Sequence, residues 1–167
     1  MKSIVIYFSR ADENYSVGYV TKGNTEYIAE YIQEFTGADL FKVEGVKPYA
    51  KDYKTCIKEA KEYQETNARP KLKQYLDSIE DYDIIYIGGP NYWGELPYEM
   101  YSELDKLNFS GKIVKPFCTH EGSGLSNIPL VLKQKCVGAI IKDGLAIQGS
   151  TAKEMSTKEK VKNWIER

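Results

Sequence analysis

Two short segments carry residue types that can bind a phosphate group and a planar ring. The first combines Ser9 with Gly23-Asn24-Thr25, and the second is the run 88–95, which contains the pair Trp93-Gly94. Each follows an apolar run that predicts a buried parallel strand. Ligands of parallel sheets bind beyond the carboxyl ends of the strands, so both segments are predicted to face one ligand.

The first segment has the features of a phosphate site at the start of a helix. Such a site uses free backbone N–H groups and the positive end of the helix dipole, and it does not require a lysine. Gly23 allows close approach of the backbone. Asn24 and Thr25 add short polar side chains, and Ser9 can offer its hydroxyl from the strand end. The same residues also suit a simple helix cap after a glycine turn, and the sequence leaves both interpretations open.

The second segment predicts an aromatic contact to a flat cofactor. Pro90-Asn91-Tyr92 leads to Trp93, whose face can stack on an isoalloxazine ring. Gly94 can rotate its peptide and present either its C=O or its N–H group to that ring. Glu95 would place negative charge nearby and disfavour an anionic reduced flavin. The alternative is that Tyr92 and Trp93 pack against the next helix. Together, the two segments predict a site for flavin mononucleotide (FMN).

A third loop, Thr119–Gly124, follows the next predicted strand. Its glycines and hydroxyl groups suit backbone hydrogen bonds to the edge of a planar ring, and its members are Thr119, His120, Glu121, Gly122, Ser123 and Gly124. His120 is the single histidine of the chain, and it lies where a proton or hydride donor would approach. No cluster has the spacing of metal ligands, so no metal site is predicted. A lone histidine is more often a structural residue than a catalyst, so no side chain is predicted to be catalytic.

Composition and charge limit the possible functions. The 167 residues suffice for one domain, 1–167. The basic residues are scattered, which argues against nucleic-acid binding. No apolar run is long enough for a signal peptide or a membrane span, and the three cysteines are widely spaced. We therefore expect a cytoplasmic protein without membrane contact.

The charge distribution is uneven although the net charge is near zero. Residues 1–110 hold 13 Lys+Arg against 19 Asp+Glu, whereas residues 111–167 hold 10 against 5. The resulting dipole can orient charged partners. A solvated surface without a partner is the alternative.

Strand and helix patterns alternate along the chain. Strands are predicted at Ser3–Phe8, Asp39–Val43, Asp83–Ile87, Lys112–Cys118 and within Val137–Ile147. Helices are predicted at Thr25–Phe35, Lys54–Glu65, Pro97–Leu107, Leu125–Lys135 and Thr157–Arg167, with a further turn or two at Leu72–Ile79. This alternation predicts a single-domain α/β fold with a doubly wound, parallel, five-stranded sheet.

Two other phosphate-handling classes of protein lack their chemistry here. Gly18 and Gly23 have the spacing of a P-loop, but Asn24 stands where that motif needs a lysine. A phospho-acceptor domain needs acidic residues after the first strand and an aspartate at the end of the third. This chain has Ser9-Arg10 and Gly88-Gly89 at those places.

Over essentially its whole length the chain resembles the flavodoxin family, in its longer-loop branch. The similarity rests on Ser9 with Gly23-Asn24-Thr25, on Pro90–Gly94, and on Pro116–Thr119 leading into Gly122-Ser123-Gly124. It implies the strand order 2-1-3-4-5, an FMN cofactor, phosphate contacts at the first motif and ring contacts at the other two. It also implies a protein that carries electrons or reduces a small acceptor.

Three features depart from that pattern. Thirteen residues, Arg10–Lys22, separate Ser9 from Gly23. This insertion can fold over the cofactor or form a contact surface. We include Arg10 and Lys22 in the predicted cofactor-binding set. The third loop lacks the tyrosine that often covers the outer face of the ring, so that face is open or covered by His120, Leu125 or a partner. The chain also lacks the strong acidity with which many flavodoxins dock to basic partners.

Three functions are compatible with these observations. The leading prediction is an electron carrier between redox partner proteins, a reductase and an acceptor. The second is an FMN-dependent reductase that passes a hydride from NADH or NADPH to a small-molecule acceptor such as a quinone or nitro compound, which the open third loop and His120 favour. The third is a binding module on the same fold without redox activity.

Overall fold

A parallel sheet runs through the centre of the protein, which a computed structural model describes over residues 1–167. Its strands are β1 (Ser3–Tyr7), β4 (Asp39–Lys42), β5 (Ile84–Pro90), β6 (Ile113–His120), β7 (Ile140–Ile141) and β8 (Leu145–Gln148). They lie in the order β4-β1-β5-β6, with β7 and β8 both paired to β6. Since β7 and β8 are two pieces of one outer strand, the predicted order 2-1-3-4-5 is confirmed.

The interruption of the fifth strand has a local cause. β7 pairs with the first half of β6 and β8 with its second half. Between them, Gly144 lies so close to Leu125 that an added Cβ atom would be 2.9 Å from its side chain. Gly144 thus allows the chain to pass close to Leu125 between the two paired segments.

Five α-helices cover the two faces of the sheet: α1 (Asn24–Thr36), α2 (Tyr53–Thr66), α3 (Tyr98–Leu104), α4 (Ile128–Lys135) and α5 (Met155–Ile165). Gly37 ends α1 with a φ of 72°, in the left-handed conformation that glycine adopts readily. Asp52 begins α2 because its carboxylate accepts the backbone N–H of Thr55 at 2.9 Å.

Several predicted helix boundaries were wrong. The turn predicted at Leu72–Ile79 is irregular, because Leu72 forms a bridge to Gly45 and the Leu76 N–H group donates to the Glu103 carboxylate. α3 ends three residues earlier than predicted, and α4 begins at Ile128 because Pro129 suits only a first turn. α5 begins two residues earlier than predicted, at Met155.

Alternation along the strands divides the core into two layers. Ile4 and Ile6 of β1 point to the layer that contains α3 and α4, whereas Val5 and Tyr7 point to the layer of α1 and α5. Trp164 lies in the second layer, where its ring packs against Tyr86 and Phe117. This two-sided burial explains why β1 is almost entirely apolar.

The insertion Arg10–Lys22 forms an antiparallel hairpin of β2 (Asp12–Asn14) and β3 (Gly18–Val20) at the carboxyl edge of the sheet. These two strands were not predicted, because three-residue strands carry too few positions to show alternation. In the whole chain, no helix combines the length and the apolar character needed to cross a membrane.

Candidate functional site

A cavity of about 250 Å³ lies at the carboxyl edge of the sheet. The three segments predicted to bind a ligand, around Asn24, Trp93 and His120, meet there. Its walls come from the loops after β5 and β6, the start of α1, the start of α2 and the turn of the β2–β3 hairpin. The structure thus brings the predicted segments to one place, as the topology requires.

Ten of the seventeen predicted cofactor-binding residues line the cavity: Asn24, Pro90, Asn91, Tyr92, Trp93, Gly94, Thr119, His120, Glu121 and Ser123. The others lie behind its walls or outside it: Ser9, Arg10, Lys22, Gly23, Thr25, Gly122 and Gly124. The cofactor roles of all these residues remain predictions. Their positions indicate which of them can touch a ligand directly.

The start of α1 combines a helix cap with free polar groups. Ser9 Oγ accepts the Glu26 N–H group at 3.0 Å, so the capping role is present. An added Cβ atom on Gly23 would collide with this hydroxyl and lie 2.6 Å from the Arg10 carbonyl oxygen, which accounts for the glycine. Asn24 lines the cavity, and its side-chain amide makes no hydrogen bond within the chain. A ligand therefore meets an unpaired amide beside a helix N-terminus.

Thr25 lies one layer deeper. Its hydroxyl group is 2.8 Å from the Thr119 hydroxyl, and both residues are buried. This hydrogen bond joins the first turn of α1 to the end of β6. Thr25 thus positions the two loops that border the cavity.

Arg10 and Lys22 are engaged away from the cavity. The buried Arg10 guanidinium donates to the carbonyl oxygens of Ala50 (2.6 Å) and Lys51 (2.8 Å), and also to that of Glu13. Lys22 forms an ion pair with Glu30 on the outer surface of α1. Both residues were included in the predicted cofactor-binding set as part of the insertion, but neither lines the cavity.

The loop after β5 is a two-residue hairpin turn. Tyr92 and Glu95 exchange backbone hydrogen bonds of 2.8 and 3.2 Å, and the central residues Trp93 and Gly94 have φ values of 55° and 87°. Two successive positive φ values define a type I′ turn. This turn type favours glycine at its second central position. The requirement for Gly94 is thus conformational.

The Trp93–Gly94 peptide is held in one orientation. Gly94 N–H donates to Asn91 Oδ1 at 2.8 Å, and the Trp93 carbonyl oxygen accepts Gln64 Nε2 at 3.2 Å. Rotation of this peptide would break both bonds and convert the turn to type II′, whose first central residue is normally glycine. Because Trp93 occupies that place, the structure opposes the predicted peptide rotation.

Trp93 forms an exposed aromatic wall. Its side chain is 51% exposed, and its indole N–H donates to the Ile57 carbonyl oxygen at 2.8 Å. The bond fixes the ring against α2, where Lys61 Nζ lies 5.2 Å from the ring centroid, and about half of the residue remains exposed. Tyr92, in contrast, packs against Phe8 and Tyr49, neither of which belongs to the helix that follows.

Glu95 does not place its charge in the cavity. Its carboxylate accepts hydrogen bonds from Gln64 (2.7 Å), Tyr98 (3.2 Å) and Tyr101 (3.0 Å) on the opposite side of the loop. These three donors draw the side chain towards α2 and α3, so Glu95 does not line the cavity, and its effect on a flavin remains a prediction.

The loop after β6 is organised by its own hydrogen bonds. His120 Nδ1 accepts the Gly122 N–H group at 2.9 Å, so the neutral ring carries its proton on Nε2. Asn91 Nδ2 donates to the carbonyl oxygen of Gly124 at 2.8 Å, which ties this loop to the one after β5. Glu121 accepts the Ser150 N–H group at 2.6 Å. The carboxylate thereby holds the end of β8 against the cavity.

Five further residues line the cavity without having been predicted: Asn14, Tyr15, Tyr53, Ile57 and Gly149. Gly149 approaches closely, since an added Cβ atom would collide with the Asn24 amide and lie 3.0 Å from Glu121 Oε1. Tyr53 and Ile57 are one turn apart on the first two turns of α2. That spacing was available from the sequence, but nothing in it showed that α2 borders the site.

The cavity lining holds few charges. Glu121 is the only acidic residue, His120 is the only other ionisable group besides tyrosine, and neither lysine nor arginine contributes. Burial raises the pKa of Tyr92 well above its usual range, so that phenol stays neutral at physiological pH. The site therefore offers neutral hydrogen-bond donors and aromatic surface.

These features define an α/β protein with one shallow, aromatic-walled cavity at the switch point of a parallel sheet. Residues 14–167 match the family model of the flavodoxins, and the chain belongs to the flavodoxin family.

Solved structures with the same fold include several flavoproteins. A Bacteroides uniformis ATCC 8492 protein assigned as a flavoprotein is 25% identical, with a TM-score of 0.78 over 99% of this chain and 98% of that one. A Lactobacillus acidophilus NCFM flavoprotein in complex with FMN is 21% identical, with a TM-score of 0.66 over 93% and 98%. An NADH:FMN oxidoreductase is 16% identical, with a TM-score of 0.56 over 99% and 87%. No curated protein matches the chain in sequence.

Proposed function

We propose that this protein binds FMN non-covalently in the cavity and acts in the cytoplasm as an electron carrier between redox partner proteins. The observation that carries the proposal is the pairing, in one cavity, of a helix N-terminus bearing the unpaired Asn24 amide with the exposed ring of Trp93. The first suits a phosphate and the second suits a planar ring. FMN has both at its two ends.

The arrangement fits FMN in its chemistry as well. When bound, FMN supplies one- and two-electron redox chemistry. Asn24 and the first N–H groups of α1 would hold the phosphate, as neutral donors do at other helix N-termini. Asn91 would keep the loops after β5 and β6 at a fixed spacing through its bonds to Gly94 and Gly124.

A reductase that takes a hydride from NADH or NADPH and passes it to a small-molecule acceptor is the second candidate. The half-exposed Trp93 beside an open cavity favours it, because a second planar molecule can approach there. His120 would donate a hydrogen bond to the acceptor through its Nε2–H group, since Nδ1 already accepts the Gly122 N–H group.

An ultraviolet–visible spectrum tests both candidates. The protein is mixed with excess FMN and desalted, and NADPH or NADH is then added without oxygen. A retained flavin band that bleaches only after a separate reductase is added supports the carrier. Immediate bleaching supports the reductase, and the absence of retained flavin contradicts both.

A charge substitution tests the phosphate position. Asn24→Asp places a negative charge where the phosphate is proposed, so FMN should bind at least about fivefold more weakly, because two unit charges a few ångströms apart repel by about 1–4 kcal/mol. Riboflavin lacks the phosphate, and its affinity should change less than threefold. Asn163→Asp, on the exposed face of α5, adds the same charge elsewhere and serves as the control. Equal losses for FMN and riboflavin would place the phosphate somewhere else.

A further inference from the structure

The β2–β3 hairpin is fixed to the start of α2 by several hydrogen bonds. Glu13 Oε1 accepts the Tyr53 N–H group at 2.6 Å, and Glu13 N–H donates to the Lys51 carbonyl oxygen at 3.1 Å. The Arg10 guanidinium, whose other acceptors are Ala50 and Lys51, also donates to the Glu13 carbonyl oxygen. The hairpin therefore has a defined place beside the cavity.

The turn of this hairpin presents Tyr15 to the cavity. The Tyr15 ring packs on Tyr53, with centroids 5.5 Å apart and planes tilted by 39°, and both residues line the cavity. Nevertheless, 57% of Tyr15 is exposed. The packing on Tyr53 fixes one part of the ring and leaves the remainder beside the cavity.

The aromatic residues of α2 and its neighbours form one continuous side of the cavity. Tyr53 and Ile57 lie one turn apart on α2, and Trp93 is bonded to the Ile57 carbonyl oxygen. Tyr15 extends this side beyond Tyr53. The opposite loop, after β6, contributes hydroxyl groups, a carboxylate and His120. Planar aromatic surface is thus concentrated on one side.

We propose that Tyr15 and Tyr53 form a second aromatic contact for the isoalloxazine ring, so that the hairpin belongs to the cofactor site. This inference rests on the proposed binding of FMN. It assigns to the insertion a role in binding the isoalloxazine ring. Tyr15 would contact the isoalloxazine ring by packing and would take no part in the chemistry.

Affinity measurements with a matched pair of variants test the inference. Tyr15→Ala should weaken binding of both FMN and riboflavin by about tenfold, because loss of one aromatic stacking contact lowers affinity by about that factor. Tyr19→Ala removes a ring that is 67% exposed on the same hairpin and does not line the cavity. Its affinities should stay within twofold of the parent, as should those of Tyr15→Phe. Quenching of flavin fluorescence gives the dissociation constants.

The possible outcomes separate this inference from the proposed function. Equal affinities for Tyr15→Ala and Tyr19→Ala, with tight binding by the parent, would overturn the role of Tyr15 and leave FMN binding intact. The same holds if Tyr15→Ala changes only the rate with an external acceptor. Failure of the parent to bind either flavin would overturn both. Urea unfolding of each variant shows that the exposed substitutions leave the fold intact.

Discussion

Glu99 shows how one buried carboxyl group couples this fold to pH. The residue is 1% exposed, and its Oε1 atom accepts the Tyr49 hydroxyl at 2.7 Å. Burial raises the pKa of Glu99 to about 7, and the Tyr49 hydrogen bond lowers it only in part. The folded protein therefore holds the proton more tightly than the unfolded chain does. Its stabilising contribution is complete below pH 4.5 and is lost as the pH rises through about 7.

Removal of this titration is expected to flatten the pH dependence of stability. Glu99→Gln keeps an acceptor for Tyr49 and cannot ionise. Relative to this variant, the parent should lose up to about 3 kcal/mol of unfolding free energy between mildly acidic and neutral pH, since one pKa unit corresponds to about 1.4 kcal/mol. Urea unfolding at several pH values measures the difference. Glu65→Gln, on the exposed face of α2, is the control. Parallel curves for parent and Glu99→Gln would contradict the prediction.

Gly94 and Gly37 share a backbone conformation and differ in their distance from the cavity. Their φ values are 87° and 72°, and an added Cβ atom would meet nothing closer than 3.6 Å at either residue. Alanine at each position should therefore lower the unfolding free energy by a similar amount, about 1–2 kcal/mol, because the left-handed conformation strains residues other than glycine.

Only Gly94→Ala is expected to weaken FMN binding. The strain would distort the turn that places Trp93, so we predict a several-fold rise in the dissociation constant. Gly37→Ala, at the far end of α1, should leave affinity unchanged. Fluorescence titration and urea unfolding of the two variants provide both quantities. Equal affinities would show that the turn does not position the ring.

At the scale of elements, the insertion depends on one buried side chain. Arg10 joins the hairpin to the segment before α2 through the carbonyl oxygens of Glu13, Ala50 and Lys51. Arg10→Ala should cost about 2–4 kcal/mol, because it removes the hydrogen bonds that a buried, charged guanidinium donates to three carbonyl groups. Amide hydrogen exchange of residues 12–20 should also become faster.

Lys22→Ala is the matched comparison for Arg10→Ala. Lys22 lies at the other end of the insertion and forms an exposed ion pair with Glu30, so its removal should cost less than about 1 kcal/mol. If Arg10→Ala abolished FMN binding while exchange in the hairpin stayed slow, Arg10 would instead act as a ligand contact.

The sequence predicted the elements whose patterns are long and continuous. The predicted strands Ser3–Phe8 and Asp83–Ile87 consist almost entirely of apolar residues, which is the signature of strands covered on both faces. The order of the five strands was implied by the resemblance to the flavodoxins. Gly37 marked the end of α1 by its backbone preference. These signals are local, so they survive without knowledge of the tertiary structure.

The parts that failed depend on contacts between distant residues. Tyr15 and Tyr53 lie 38 positions apart, and their packing required knowledge of where the hairpin folds. The carboxylate of Glu95 was expected near the ligand, but it accepts hydrogen bonds from Gln64, Tyr98 and Tyr101. Nothing in the sequence indicated that the Arg10 side chain binds backbone carbonyl groups.

For the molecule as a whole, the cavity joins two separately packed layers. α1 belongs to the layer of Val5 and Tyr7, whereas Tyr63 of α2 packs on the opposite layer with Ile4 and Ile6. Both helices begin at the cavity, through Asn24 and Tyr53. A ligand that contacts both starts therefore connects the two faces of the sheet, and its binding energy contributes to the stability of the complete fold.

This geometry predicts how FMN changes stability and protection together. At 100 times the dissociation constant, a ligand that binds only the folded state adds about 2.7 kcal/mol to the unfolding free energy. Urea unfolding at increasing FMN concentration should follow that logarithmic dependence. Hydrogen exchange should slow at the first turns of both α1 and α2, because the ligand spans them. Protection confined to α1 would mean that only the phosphate end is bound and that the aromatic side of the cavity remains free. In Tyr15→Ala, the stabilisation at a fixed FMN concentration should fall by the amount that its weaker affinity requires, since both effects reflect the same contact.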